Sequence, residues 1–168
     1  MTSYKKHEKN AAKIASSIAE LCDEQAICLA VAESLTGGKI SSQLAAAPGS
    51  GNWFAGGVVA YSSEVKHRLL MVPRGSVISA ASVEMMARSA CSLMEADAAV
   101  AASGAGGPDG QDGQDPGTTW IAVLVGDDVR SELHRFQGDP IDILSLTEER
   151  ALAMLLEALQ DRYVDVSE

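Results

Sequence analysis

Aromatic side chains are scarce: two Trp, three Tyr and two Phe make up 4% of the 168 residues. A nucleic-acid platform built on stacked rings has little to work with. The formal net charge of −10 would moreover repel phosphate backbones. No nucleic acid is expected as a bulk electrostatic partner, although a local basic pocket stays possible. Histidine is rare too. His7 falls in the N-terminal tail, His67 on a short helical stretch and His134 on a hairpin strand, so no Ser/His/Asp triad can be assembled with them. There is no His-x-x-x-His and no Cys-x-x-Cys, hence no metal site and no cofactor is expected. Cys22, Cys28 and Cys91 are odd in number, unclustered and in apolar contexts, which reads as reduced core thiols and not as a disulfide frame. No apolar run approaches a membrane span of about 20 residues. Lys5 and Lys6 are followed by Lys9, Lys13 and Glu20, unlike a secretory leader, so the expected compartment is the cytoplasm.

What is plentiful is alanine and glycine within a 46% hydrophobic composition. That favours helices packed closely on a sheet, in a single domain covering 1–168 with its core over about 8–162. Ala11, Ala12, Ile14, Ala15, Ile18, Ala19, Leu21 and Cys22 form a helical stripe over 8–22. Short apolar runs at 27–32, 56–61, 98–102 and 118–125 read as buried strands, and 129–136 alternates as a hairpin partner across the Gly126-Asp127-Asp128 turn. Helices are predicted over 36–47, 63–70, 84–94 with Ser79 as a plausible cap, and from about 141–146 to 163. Pro48 to Asn52 is a turn cluster, and 103–117 is a long glycine-rich loop of the kind that is often functional. Alternating helices and strands ending in one hairpin give an α/β class, a three-layer α/β/α sandwich with a mixed, mostly parallel sheet.

The chain is organised around Ala32-Glu33-Ser34-Leu35-Thr36-Gly37-Gly38, where an apolar strand gives way to a helix. Such a switch can hold a hydroxyl clear of the sheet and aim free amides at an anion. Ser34 could then be a nucleophile with the amides around Thr36, Gly37 and Gly38 as its oxyanion hole. The plainer alternative is that Ser34 or Thr36 only caps the helix. Without histidine a hydrolase needs another base, and lysine serves when held neutral by burial. Lys66, in Tyr61-Ser62-Ser63-Glu64-Val65-Lys66, is the candidate, with Tyr61 able to relay a proton; the alternative is a solvated surface lysine. Ser63 stands in a Ser-x-x-Lys pattern with Lys66 and is a second candidate nucleophile, although the companion Ser-Asp-Asn and Lys-Thr-Gly motifs are missing.

Ala-Glu-Ser-Leu-Thr-Gly-Gly (32–38), Pro-Gly-Ser (48–50), Val-Ala-Tyr-Ser-Ser-Glu-Val-Lys (59–66), Ser-Gly-Ala-Gly-Gly-Pro (103–108) and Gly-Thr-Thr-Trp-Ile-Ala (117–122) together resemble the C-terminal domain of the CinA family. The resemblance runs from about residue 8 to 162 and implies a nicotinamide-nucleotide amidase, in the form without the family's N-terminal domain. It implies hydrolysis of nicotinamide mononucleotide to nicotinate mononucleotide and ammonia, with Ser34 as nucleophile, Lys66 as general base and Tyr61 in support. Ser103, Gly104, Gly106, Gly107, Gly117 and Thr118 would receive the substrate. The family tends to carry an arginine soon after its Gly-Asp turn; here Pro140 follows Gly138-Asp139, and Arg150 is the first arginine available for the substrate phosphate. Self-association is implied as well, and alanine-rich helices permit it. Two other readings remain: a non-catalytic nucleotide- or partner-binding domain associated with competence or damage, and an amidase acting on another small amide.

Overall fold

A computed structural model describes residues 1–164. Its elements are α1 (Ser3–Gln25), β1 (Leu29–Glu33), α2 (Lys39–Ala45), α3 (Ser50–Trp53), β2 (Phe54–Val59), α4 (Ser63–Leu69), α5 (Ala80–Met94), β3 (Ala98–Gly104), β4 (Thr118–Val125), β5 (Asp128–Arg135) and α6 (Pro140–Tyr163). The strands form one sheet in the order β2-β1-β3-β4-β5. β1 pairs parallel with β2 and β3, and the β3–β4 and β4–β5 pairs are antiparallel, so four of the five strands point the same way.

Burial follows position. The central strands β1 and β3 are buried at every residue, whereas the edge strands β2 and β5 alternate between half-buried and exposed positions. Side chains sort to two faces with the strand period. Leu29, Val31, Val100, Ile121 and Val123 pack under α1, α2 and α6. Ala30, Ala32, Ala99, Ala101 and Ala122 pack under α5, with Leu70, Val72 and Val77 completing that layer. The second face is nearly all alanine, which lets α5 lie close to the sheet. This is the three-layer arrangement expected. No helix among the described residues is long and apolar enough to cross a membrane.

Element ends differ from expectation for identifiable reasons. α1 runs beyond 8–22 at both ends and stops where Ala26 turns left-handed, its amide donating to the Cys22 carbonyl. The turn cluster after Pro48 contains the one-turn α3, seated by Trp53, whose indole donates to the Pro48 carbonyl. β2 begins two residues early, at Phe54, and Gly57 lets it approach Ser41 of α2, where any Cβ would collide with the hydroxyl. Ser79 caps α5 by accepting from the Ser82 amide at 3.1 Å, so that helix starts at Ala80. Gly138-Asp139-Pro140 ends the strand but opens α6: Pro140 takes the first turn, where its missing N–H costs nothing, and Asp142 accepts from the Asp139 amide at 3.2 Å.

β1 has β2 on one side and β3 on the other, and the chain passes from β2 to β3 by crossing back over it. The C-terminal ends of these three parallel strands therefore diverge around a crevice, the usual place for a ligand in an open α/β sheet. Ser34 leaves β1 there, Tyr61 leaves β2, and the loop after Gly104 leaves β3.

Candidate active site

At the end of β1 the chain is held from both neighbouring strands. The Ser34 amide donates to the Ala102 carbonyl at 3.1 Å, and the Ala60 amide donates to the Glu33 carbonyl at 2.8 Å. Ser34 is 4% exposed. The predicted helix over 36–47 is shorter, beginning at Lys39, because Thr36-Gly37-Gly38 forms a separate turn. Gly37 (φ 60°) and Gly38 (φ 108°) both adopt left-handed conformations, which explains the glycine pair.

The amides of that turn are not all available. Gly37 N–H donates to the Ser34 carbonyl at 3.0 Å, which removes Gly37 from the expected oxyanion donors. The amides of Leu35, Thr36 and Gly38 find no acceptor among the described residues. The start of α2 is closed to an external anion, because the Glu33 carboxylate accepts from Ile40 N–H and Ser41 N–H, each at 2.9 Å. The same carboxylate accepts from Thr36 Oγ1 at 2.6 Å. The Thr36 side chain is thus turned to bracing, and only its amide can serve a substrate. Glu33 was not singled out by sequence, since a carboxyl ending an apolar run has no distinguishing pattern.

Ser34 opens on a pocket of about 170 Å³ lined by Ser34, Leu35, Tyr61, Gly104, Gly106, Gly107 and the loop residues Asp109, Gly110 and Gln111. Of the residues expected to receive substrate, Gly104, Gly106 and Gly107 line it; Thr36, Gly37 and Gly38 are not among its lining residues, and Gly37 and Gly38 instead line a separate pocket with Lys39 and Glu148. Ser103, Gly117 and Thr118 do not line the Ser34 pocket either, and each holds the loop instead. Ser103 Oγ donates to the Val77 carbonyl at 2.7 Å. Gly117 N–H donates to the Ala105 carbonyl at 2.7 Å, and the Ala105 amide donates to the Thr118 carbonyl at 2.9 Å. A side chain at Gly117 (φ 89°) would collide with the Phe136 carbonyl. Leu35 is a wall residue that sequence did not identify, whereas Asp109, Gly110 and Gln111 fall in the 103–117 loop it marked without being assigned a role there. Asp112 ties that stretch to the body by accepting from Val77 N–H at 3.2 Å.

Lys66 is not on the surface. It is fully buried, 0% exposed, and is among the largest fully buried side chains. Ser62 caps α4 by accepting from Val65 N–H at 3.3 Å, which sets Lys66 on the inner side of the first turn. Its Nζ donates to the backbone carbonyl of Tyr61 at 3.3 Å. Burial pushes the amine below the usual lysine range, and the Asp112 carboxylate partly opposes that shift. Tyr61 accordingly contributes twice, by its carbonyl to Lys66 and by its ring, 70% exposed, to the pocket rim. Ser63 opens α4 and is not among the residues lining the Ser34 pocket.

Arg150 is not brought to the site. It stands in the middle of α6, where its guanidinium donates to Glu132 on β5 at 2.9 and 3.1 Å and to Glu157 at 3.1 Å. α6 starts at Pro140, as the turn demands, so no shift of its start moves Arg150 toward the pocket. No lysine or arginine lines the pocket, Lys66 included; the link of Lys66 to the pocket is its bond to the Tyr61 carbonyl. Among the described residues no group of three or more His, Cys, Asp or Glu side chains is arranged to hold a metal ion.

The family model of the CinA C-terminal domain matches residues 11–159. A CinA-like protein of Shewanella denitrificans is 37% identical over 180 residues, covering 99% of this chain and 42% of the relative. One from Geobacter metallireducens is 36% identical over 152 residues, covering 87% and 37%. The chain thus spans about two-fifths of the length of these curated relatives. Among solved structures, a competence-damaged protein (CinA) superfamily protein from Enterobacter cloacae superposes with a TM-score of 0.86 at 31% identity, covering 89% of this chain and 92% of that one. A competence/damage inducible protein from Agrobacterium tumefaciens superposes with a TM-score of 0.84 at 26% identity, covering 90% and 96%. With its glycine turn, its parallel-strand crevice and its sequence matched along most of its length, the chain belongs to the CinA C-terminal domain family.

Proposed function

We propose that this chain is a serine amidohydrolase that converts nicotinamide mononucleotide and water to nicotinate mononucleotide and ammonia. The observation that carries the reading is Lys66, a wholly buried amine that donates to the carbonyl of a pocket-lining residue and is biased toward its neutral form. Lysine is almost never fully buried without an ion-pair partner, whereas a general base working near neutral pH requires such desolvation.

In this mechanism Lys66 Nζ takes the proton of Ser34 Oγ, directly or relayed through Tyr61, as that oxygen adds to the carboxamide carbon. The ring carrying the carboxamide is a pyridinium, which withdraws electrons and favours the addition. Open amides of the Ser34 turn receive the developing oxyanion, each donor worth about 3–4 kcal/mol in other serine hydrolases. Protonated Lys66 returns its proton to the amide nitrogen, directly or through Tyr61, and the C–N bond breaks to release ammonia. Water then adds to the acyl-Ser34 ester by the same steps, freeing the acid and restoring the hydroxyl.

One observation favours a second reading, an amidase on a smaller substrate. A pocket of about 170 Å³ without a lysine or arginine on its wall offers little to a phosphate, and typical ligand pockets run to about 300 Å³ or more. Initial rates of ammonia release from nicotinamide mononucleotide, nicotinamide riboside and nicotinamide separate the two. The nucleotide reading requires a higher kcat/KM for the mononucleotide. Equal or higher values for the unphosphorylated amides overturn it in favour of the smaller substrate.

A further inference from the structure

Glu33 immediately precedes the candidate nucleophile, and nothing in the amidase mechanism uses its side chain. It is 0% exposed. A carboxylate buried this completely must have its lone pairs satisfied, and here three donors do so, all from the segment that follows it. Thr36 Oγ1 reaches Oε1 at 2.6 Å, Ile40 N–H reaches Oε1 at 2.9 Å and Ser41 N–H reaches Oε2 at 2.9 Å. The side chain therefore folds forward over its own turn and clamps the Thr36 hydroxyl to the first turn of α2. Its backbone carbonyl accepts from Ala60 N–H at 2.8 Å, next to Tyr61, while the adjacent Ser34 amide is fixed to β3.

These contacts have a common consequence. Ser34 and its open amides lie on a short bridge between β1 and α2, containing two left-handed glycines that offer little rigidity of their own. Glu33 ties the far end of that bridge back to its near end. We propose that Glu33 is a positioning residue for the amidase: its carboxylate holds the Ser34–Gly38 turn in the geometry that presents Ser34 and Leu35 to the pocket they line. The inference rests on the amidase reading for its rate measurements and on the geometry alone for Ser34 reactivity. A near-attack alignment is sensitive to displacements of an ångström or less, so loosening the clamp acts on the reaction rate before it acts on the fold.

Glu33→Gln keeps the size of the side chain but sets an NH2 against one of the two α2 amides, which loses a charge-assisted bond and leaves a donor facing a donor. The test compares the intact wild-type chain with Glu33→Gln, Thr36→Val and Thr36→Ser. It measures ammonia release from nicotinamide mononucleotide, the rate of Ser34 labelling by an alkyl fluorophosphonate read by mass spectrometry, and the thermal midpoint. For a folded Glu33→Gln we expect kcat to fall about 10- to 100-fold with KM within about two-fold, and labelling to slow by a similar factor. Thr36→Val is expected to fall between wild type and Glu33→Gln, and Thr36→Ser, which keeps the hydroxyl, to recover most of the rate that Thr36→Val loses. If Glu33→Gln does not fold, Thr36→Val carries the comparison by the same readouts. Wild-type-like kcat and labelling in the folded variant overturn the proposal, as does a raised KM with unchanged kcat. A wild-type chain that releases no ammonia from the nucleotide but labels at Ser34 more slowly once Glu33 is changed retires the substrate reading and leaves the positioning role standing.

Discussion

Replacing Lys66 by Met should cut turnover sharply and make the protein more stable. Methionine has nearly the length of the lysine stem and no amine to desolvate. In the native fold the Lys66 amine sits at 0% exposure with one backbone carbonyl as its hydrogen-bond partner, and burial drives it toward the neutral form. Replacing buried ionic groups by apolar residues of similar volume stabilises by about 1–4 kcal/mol in favourable cases. In a chain of this size each kcal/mol moves the thermal midpoint by about 2–4 °C. The pH dependence has a definite sign. The folded-state pKa of Lys66 lies below its unfolded value, so between the two the unfolded chain binds more protons and stability rises with pH. That contribution is complete above the unfolded pKa and is lost as pH falls through the folded one. Lys66→Met should remove this slope and raise the midpoint most on the neutral side. Loss of the general base should lower kcat by about 10²- to 10⁴-fold. Differential scanning calorimetry over a pH series from neutral to alkaline, paired with an ammonia assay, checks both halves. A midpoint that drops at every pH with the wild-type slope, or turnover near the wild-type rate, would refute the reasoning.

The Asp112 carboxylate raises the Lys66 pKa against the effect of burial, so Asp112→Asn should shift the acidic limb of the kcat/KM profile to lower pH. Asparagine can still accept from the Val77 amide, which separates the charge effect from loss of the loop tether; an unmoved limb contradicts the coupling. Glu148 on α6 is 2% exposed, and its carboxyl is pushed up to about 7 by burial and by Glu8 and Glu33, against the pull of Lys39. Its folded pKa lies above the unfolded value, so its ionisation costs stability progressively as pH rises from about 4.5 to 7. Glu148→Gln should gain about 3 kcal/mol above that window and little below it, as urea unfolding at two pH values would reveal; an equal effect at both contradicts it.

Fold and site were legible to different degrees. Strands such as Ala98–Gly104 and Thr118–Val125 were readable because their apolar runs are short and bounded by glycine or polar turns. The β4–β5 hairpin was readable from Gly126-Asp127-Asp128. The one-turn α3 was not, since four residues carry no period and its seat under Trp53 is a tertiary contact. In the site, Ser34 and the glycine loop stood out by chain position. Burial of Lys66 did not, because its helix is exposed at Glu64 and Val65 before the single inward position and at Arg68 and Leu69 after it. Arg150 illustrates the opposite failure. An arginine is easily recruited on paper for a phosphate, but Glu132 lies on β5 and only the folded chain brings it to the guanidinium on α6. Glu33 was invisible for a related reason: its donors follow it within eight residues, yet they converge only once the two glycines turn left-handed.

The most direct measurement is ammonia release from nicotinamide mononucleotide by the purified chain, run beside Ser34→Ala. The account predicts release by the wild type and none above background by the variant, with both chains unfolding at similar temperatures. Release that survives in Ser34→Ala would contradict the assignment of the nucleophile, and no release by either chain, at enzyme concentrations near that of the substrate, would contradict the amidase itself.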